Sequence, residues 1–313
     1  MPRTLPLGVD IGSTRIRIAE AVATPRGPRI RAVVVREASG DVGDPEYVAT
    51  LLEDAIRELG TKERRCVAAL GQPHAVLRTV RLPRMTSLER ERAARFEAQR
   101  YGDFAAGESL VRIHPIDVAA NSWAIGVAKS DSVKARVATL RGARLRPVAI
   151  DHEACALVRA LPGFDAIIDV GYGRASLHLS SPGAPATLQT FSGGSDVTRA
   201  IERELSIDTR SAEKRKRILG TAGAGERARK ALSLDIAALI QAARQSAEIA
   251  HVALVGNAAR LPGFASDLER ATGVHCETPV SELLQTEHYP GDVVRSGAPD
   301  WTLAAGLAAW KPR

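Results

Sequence analysis

Residues 166–180 read AIIDVGYGRASLHLS: an apolar run ending in Asp169 and Val170, the glycines Gly171 and Gly173, then a β-forming run from Ala175 to Ser180. The apolar run has the composition of a buried strand, and glycines between two such runs mark a strand-to-strand tip. Residues 7–18, LGVDIGSTRIRI, carry the same layout, with a strand from Leu7 to Ile11, a tip holding Asp10, Gly12, Ser13 and Thr14, and a second strand from Ile16 to Ala23. Both tips spell Asp-apolar-Gly, about half the chain apart.

One such tip has two readings. Asp10 can stabilise its own turn while Gly12 supplies a positive φ. Alternatively Gly12 lets the backbone approach a phosphate, hydroxyls and N–H groups donate to its oxygens, and Asp10 holds a hydrated cation. The surroundings of the two tips bear on the choice. After the first come a third strand (Ile30 to Arg36), an amphipathic helix (Pro45 to Leu59) and a buried strand (Cys66 to Leu70). After the second, a strand from Thr187 to Phe191 leads through Ser192, Gly193 and Gly194 into a helix from Asp196 to Leu205. The order of three strands and then a helix repeats, so the chain reads as a duplicated α/β fold whose facing tips grip a polyphosphate from both sides.

Composition agrees with a soluble globular protein. The 313 residues are 45% apolar and 25% charged, enough for one large core or two medium ones. No stretch reaches the roughly 20 apolar residues of a membrane span, and MPRTLPLGVD lacks a signal-peptide core, so a cytoplasmic location is expected. Cys66, Cys155 and Cys276 are far apart and read as small buried residues. The net charge of +7 is spread along the chain among acids, and aromatics are only 4%, which argues against nucleic acid as a partner. The run SAEKRKR (211–217) reads as a solvated helix face. The seven histidines show no metal-ligand spacing, and GTAGAGERARK (220–230) lacks the Gly-Lys-Ser/Thr ending of a phosphate loop, so it reads as a loop between helices.

Two facing turns of this kind resemble the phosphate loops of the actin-like ATPase superfamily. That resemblance implies a third element, a glycine-rich strand-to-helix turn for the nucleoside. HVALVGNAARLPGFASDLERATG (251–273) has the form, with a strand from Val252 to Val255, the turn Gly256-Asn257-Ala258 and a helix from Gly263 to Thr272. The sequence departs from the superfamily here: Asn257 stands where a second glycine is expected, and its Cβ narrows the pocket.

The segment between the halves resembles the type IV pilus assembly protein PilM family, similar to FtsA and to the cytoplasmic part of GspL. VRLPRMTSLERERAARFEAQRYGDF (80–104) matches the family's Leu-Pro opening at Leu82-Pro83 and its acidic-basic helix, here Ser87 to Tyr101, with Phe96 and Glu97 to Tyr101. WAIGVAKSDSVKARVATLRGARLRPVAIDHEACALVRAL (123–161) matches its return strand, Pro147 to Asp151. The likeness runs from about Leu7 to Trp310. It implies an actin-like fold of two α/β halves around a nucleotide cleft: a first half of residues 1–75 and 147–163, an inserted subdomain of 76–146, and a second half of 164–313 whose last helix returns toward the first.

The family resemblance implies an ATP-binding adaptor at the inner membrane, reaching the membrane only through partners, with other pilus assembly proteins nearby and homo-oligomers left open. It implies that Asp10, Gly12, Ser13, Thr14 and Arg17 face the phosphates from the first half, and Asp169, Gly171 and Gly173 from the second. Gly193 and Gly194 lie close by, Gly256, Asn257 and Arg260 sit near the nucleoside, and Asp10 and Asp169 hold Mg mostly through water. Arg17 stands where the family commonly has Lys and binds as a planar fork. The amino-terminal peptide of a PilN-like membrane protein is expected on the inserted subdomain, at Leu82, Arg84, Met85, Arg95, Phe96 and Tyr101. Two other functions stay in view. A sugar-kinase-type phosphotransferase needs a catalytic base that the turns do not offer. An FtsA-like filament protein has a terminal amphipathic tether, whereas this sequence closes on AAGLAAWKPR. Weak turnover at most is expected.

Overall fold

The computed structural model describes residues 3–100, 104, 107–180, 187–284 and 291–311. The first half opens with β1 (Leu7–Ile11), β2 (Arg15–Thr24) and β3 (Gly27–Glu37), followed by α1 (Pro45–Leu59) and β4 (Arg65–Leu70). Then come β5 (Ala75–Arg81), α2 (Ser87–Ala98), β6 (Ser109–Asp117), β7 (Ser122–Lys129) and α3 (Ser130–Gly142). The chain returns through β8 (Arg146–His152) and α4 (Glu153–Ala160). The second half contains β9 (Ala166–Val170), β10 (Ala175–Leu179), β11 (Thr187–Thr190), α5 (Gly194–Leu205), α6 (Thr209–Leu219) and α7 (Glu226–Ala243). It ends with β12 (His251–Val255), α8 (Phe264–Thr272), β13 (His275–Glu277) and α9 (Gly291–Ala308).

Two five-stranded sheets have the same order. The first runs β3-β2-β1-β4-β8 and the second β11-β10-β9-β12-β13. In each, a central strand pairs antiparallel with the strand after it and parallel with a later one, β1 with β2 and β4, β9 with β10 and β12. This duplicated layout is the actin-like fold. A third, antiparallel sheet, β5-β7-β6, is inserted between β4 and β8. It builds its own small core from Val76, Ala94, Ala98, Phe104, Ile125 and Val127, whereas Leu140 at the end of α3 belongs to the core of the first half.

Local chemistry explains the elements. In α1, Asp44 caps the first turn by accepting from the Glu46 N–H at 2.9 Å, Val48, Leu52, Ala55 and Ile56 form one buried stripe, and Gly60 closes the helix in the left-handed region. The segment 220–230, expected as a loop, splits differently. Gly223 and Gly225 turn with positive φ, and residues 226–230 are already the first turns of α7, whose Leu232, Ile236, Ile240 and Ala243 are buried. The glycine cluster hides a helix start that its apolar i, i+4 spacing further on reveals.

Helix α9 ties the halves together. Leu303, Ala304, Ala305, Leu307 and Ala308 are buried in one cluster with Ala19 of β2, Leu157 of α4, and Ile167 and Val255 of the second half. The approach is close enough to need glycine on both partners: a Cβ on Gly8 would run into the backbone of Ala304 and Ala308, and one on Gly306 into the Ala156 carbonyl. This apolar seam lies behind the cleft and acts as its floor.

Candidate functional site

The two tips are built alike. At the first, the Gly12 N–H donates to the Arg15 carbonyl at 2.9 Å; at the second, the Gly171 N–H donates to the Arg174 carbonyl at 2.9 Å. Gly12 does not take the positive φ expected of it. It is needed for close approach, since a Cβ there would stand 3.1 Å from the Arg15 carbonyl oxygen, and Gly171 has the matching contact with Arg174 at 3.2 Å. The shared motif is therefore Asp-x-Gly-x-x-Arg, and its two arginines, Arg15 and Arg174, stand at matching places in the sequence repeat.

Those arginines cross between the halves in reciprocal fashion. Arg15 Nη1 donates to Asn257 Oδ1 at 3.3 Å, in the turn that follows β12. Arg174 Nη1 donates to the carbonyl of Gln72, in the turn that follows β4, the counterpart of β12 in the duplicated sheet. Both receiving turns are Gly-amide pairs, Gly71-Gln72 and Gly256-Asn257. Arg17 adds a second link, donating to Asp10 Oδ2 at 3.2 Å and to Asn257 Oδ1 at 3.1 Å. Asn257 thus does more than narrow a pocket: its side-chain oxygen takes both guanidinium groups.

Beneath the tips lie three half-buried carboxylates, Asp10, Asp169 and Glu153, close enough to repel one another. Burial pushes the Asp169 carboxyl up to about 7, with Glu153 and Asp10 adding to the shift. Asp10 is raised by burial as well, and Arg17 works against the rise. Glu153, at the start of α4, is raised by burial and opposed by Arg174, whose Nη2 stands 3.3 Å from both its oxygens. Glu153 was absent from the sequence expectation, because β8 and α4 reach the cleft only after the insertion has been threaded out of the way. Arg136 of α3 is near enough to Asp10 and Glu153 to interact with both charges.

The second half supplies the opposite wall. Gly193 passes so close to the second tip that a Cβ would stand 2.6 Å from the Tyr172 carbonyl oxygen, and the Gly194 N–H donates to the Gly171 carbonyl at 2.9 Å. Lys216 of α6 reaches this point and donates to the Gly194 carbonyl at 2.8 Å and to Thr198 Oγ1 at 2.7 Å, with Glu213 Oε2 2.6 Å away. The run expected as a solvated helix face also buries Ala212 and Lys216, one turn apart. Burial lowers the Lys216 pKa, and Glu213 opposes the shift. Gly256 has φ +85° and lies against Val170 and Asp169, so its backbone does approach the second tip. Arg260, expected near a nucleoside, contacts Asp300 at 3.4 Å, and Arg15 contacts the same carboxylate at 3.5 Å.

The donor set suits a polyanion carrying a cation. Arg15, Arg17, Arg174 and Lys216 line the cleft around the carboxylates, Arg15 Nε and Asp300 Oδ1 are buried without a hydrogen-bond partner, and nothing lies within 4 Å of where a Cβ on Gly173 would be. A phosphate chain fits if Arg15 and Arg17 turn from Asn257 and Asp10 to the incoming oxygens.

The expected peptide surface is only partly a surface. Leu82 is buried at 9% exposure, while Arg84 and Arg95 are exposed and Met85 is half-buried. Phe96 is 67% exposed and Leu88 of the same helix 58%, so the aromatic points outward. A cavity of about 180 Å³ between α2 and β6 is lined by Glu91, Ala94, Arg95, Val111, Arg112 and Ile113. Tyr101 lies outside the described residues. The capping box of Thr86 and Glu89 fixes where α2 begins, and Ala94 and Ala98, which are buried, anchor it to the inserted sheet together with Arg90, whose guanidinium lies 3.9 Å from the Trp123 ring.

A family model, type IV pilus assembly protein PilM, matches residues 8–311. The chain belongs to the PilM family. No curated protein sequence matches significantly. Among solved structures, a PilM-PilN type IV pilus biogenesis complex is similar, with TM-score 0.85 and 24% identity over 99% of this chain and 100% of that one. The ethanolamine utilization protein EutJ from Carboxydothermus hydrogenoformans is similar with TM-score 0.64 and 18% identity, over 99% of this chain and 91% of that one. An activator of 2-hydroxyisocaproyl-CoA dehydratase from Clostridium difficile, solved with bound ADPNP, has TM-score 0.51 and 14% identity over 97% and 93%. These likenesses establish the shared fold. No helix among the described residues is long and apolar enough to cross a membrane.

Proposed function

We propose that this PilM-family chain is an assembly adaptor that takes ATP·Mg in the cleft between its halves and the amino-terminal peptide of a PilN-like inner-membrane protein on its inserted subdomain. The observation that carries the reading is the facing pair of Asp-x-Gly-x-x-Arg tips around three half-buried carboxylates. Backbone N–H groups and hydroxyls at Ser13 and Thr14, with Arg15 and Arg17, meet the phosphates from one side; Gly171, Gly173 and Arg174 meet them from the other. Asp10 and Asp169 hold the hydrated cation, and Lys216, held at the Gly194 carbonyl, adds positive charge from the second half. A bound Mg ion offsets the phosphate charge that the carboxylates would otherwise repel.

ATP acts here as a conformational ligand. A hydrolase needs a base free to activate water, and Glu153, the added carboxylate of the cleft, is engaged by Arg174. Membership of the PilM family and the similar PilM-PilN complex support the partner, and the bound ADPNP of a protein of similar fold supports the nucleotide. The test is calorimetric titration of the full chain with ATP·Mg, in the presence and absence of a PilN-like amino-terminal peptide. Saturable binding of both, with coupled affinities, is expected. Absence of nucleotide binding in the wild type overturns the cleft assignment, and absence of peptide binding overturns the adaptor.

A further inference from the structure

The end of the second sheet away from the cleft carries a cluster that the nucleotide and peptide readings do not use. Strands β12 and β13 are parallel, and their register sets His251 directly beside His275 and Ala253 beside Glu277. Side chains two apart on one strand share a face, so both imidazoles and the Glu277 carboxylate emerge on the same side. The rings are stacked with centroids 5.1 Å apart, and one donor atom from each of His251, His275 and Glu277 lies within 4.8 Å of the others. The histidines are 24 positions apart in sequence, which is why their spacing there gives no signal; only the strand register brings them together.

We infer that His251, His275 and Glu277 form a binding site for a divalent transition ion of the zinc class. Two imidazole nitrogens and one carboxylate oxygen suit such an ion, and bonds of about 2.0–2.2 Å place donors roughly 3–3.5 Å apart, within reach by side-chain rotation. The surroundings are those of a ligand set. Glu269 of α8 lies 2.7 Å from His275 Nδ1 and accepts from the Cys276 N–H at 3.0 Å, so a carboxylate fixed by the backbone engages Nδ1 and directs the Nε2 lone pair outward. That is the carboxylate–histidine arrangement by which outer groups orient metal-bound imidazoles. The Phe164 ring, 4.4 Å from that of His251, supports the second ligand. His251 Nε2 and Glu277 Oε1 already meet at 2.7 Å, and the ion replaces the proton between them. With three protein ligands and a half-exposed setting, the site keeps a coordination position open to water or to a side chain from outside. It ties the three-residue edge strand β13 to β12, and it is independent of the nucleotide reading because it lies at the opposite end of these strands from Asp169 and Gly256.

The test uses the full chain freed of metal with a chelator, titrated with ZnCl2 by calorimetry and with CoCl2 by visible absorption. One equivalent of zinc is expected to bind, cobalt should give the absorption band of a low-coordinate site, and the melting temperature should rise with zinc. His275→Ala, at an exposed side chain, should weaken binding at least tenfold without changing the metal-free melting temperature, and Glu269→Gln should weaken it about 10–100-fold as an orienting group. Glu277→Gln should remove the cobalt band. No saturable zinc binding in the wild type, or binding by His275→Ala and Glu277→Gln as tight as that of the wild type, overturns the site.

Discussion

Arg15 and Asn257, one from each half, meet across the mouth of the cleft, the guanidinium donating to the amide oxygen at 3.3 Å. Arg174 and Gln72 repeat the relationship with the halves exchanged. Each tip therefore holds the Gly-amide turn of the opposite half, and the cleft is closed by polar contacts at its mouth while α9 supplies an apolar floor. The two kinds of contact differ in strength. Net hydrogen-bond contributions are about 1 kcal/mol each, whereas burying a Leu side chain contributes about 1.5–3 kcal/mol. With Leu303 and Leu307 buried at the floor, the mouth is the weaker of the two contacts between the halves.

Asn257→Gly removes the oxygen that holds Arg15 and Arg17 and restores the flat turn expected at this position. Freeing the two arginines returns about 1 kcal/mol to phosphate binding, so ATP·Mg affinity should rise roughly fivefold. Calorimetric titration of both proteins checks it. An unchanged or weaker affinity would show that Asn257 helps to hold the nucleotide and does not compete with it.

At the floor, Gly306→Val forces a side chain into the Ala156 carbonyl and the Ala160 methyl. Neither neighbour is the flexible end of a long side chain, so the helix must shift. A loss of at least about 2 kcal/mol in unfolding free energy is expected from chemical denaturation, in line with overpacked cores. A change below about 0.5 kcal/mol would mean that α9 does not depend on this contact.

Phe96 separates stability from recognition. Exposed as it is, its replacement in Phe96→Ser should leave stability within about 0.5 kcal/mol of the wild type. Capture of a PilN-like amino-terminal peptide should fall at least tenfold if the aromatic is an anchor. Equal capture by both proteins would move the peptide off this face of α2.

Much of this was legible because the duplication is written twice. The paired Asp-x-Gly tips, the strand order around them and the helix at Pro45 to Leu59 follow from period and turn chemistry, which are local. What escaped depends on the chain meeting itself. Lys216 looks like one more cation in SAEKRKR, and only the Ala212–Lys216 turn spacing marks the buried side of the helix. Glu153 is remote in sequence from Asp10 and Asp169. His251 and His275 become neighbours only through the register of a three-residue strand. Phe96 sits on a charged helix without an apolar stripe to show its direction, and it points outward because Ala94 and Ala98 take the packed side of α2.

Asp169 gives the cleft a pH signature. Its carboxyl is raised from about 4 to about 7, so over that interval the folded state holds a proton that the unfolded chain has lost. The sign follows: the Asp169 contribution to stability is fully present below the unfolded value, declines as pH rises to about 7, and is constant above it. Two histidines, His178 buried and His152 half-buried, act in the opposite direction. Burial lowers His152 to about 4 and His178 to about 3, so the unfolded chain takes up their protons first as the pH falls below 6.5, and stability is lost toward acid. The wild-type curve mixes these effects, and Asp169→Asn separates them, because the amide keeps the shape and cannot ionise. The difference in melting temperature, Asp169→Asn minus wild type, should grow between pH 4 and 7 and then level off. ATP·Mg should act in the same window, since a cation near the tips favours the ionised carboxyl: wild-type affinity should rise through pH 7 with release of a proton, and Asp169→Asn should lose that pH dependence. A flat difference curve would mean that Asp169 is ionised at ordinary carboxylate pH and that Arg17 and Arg174 outweigh its burial.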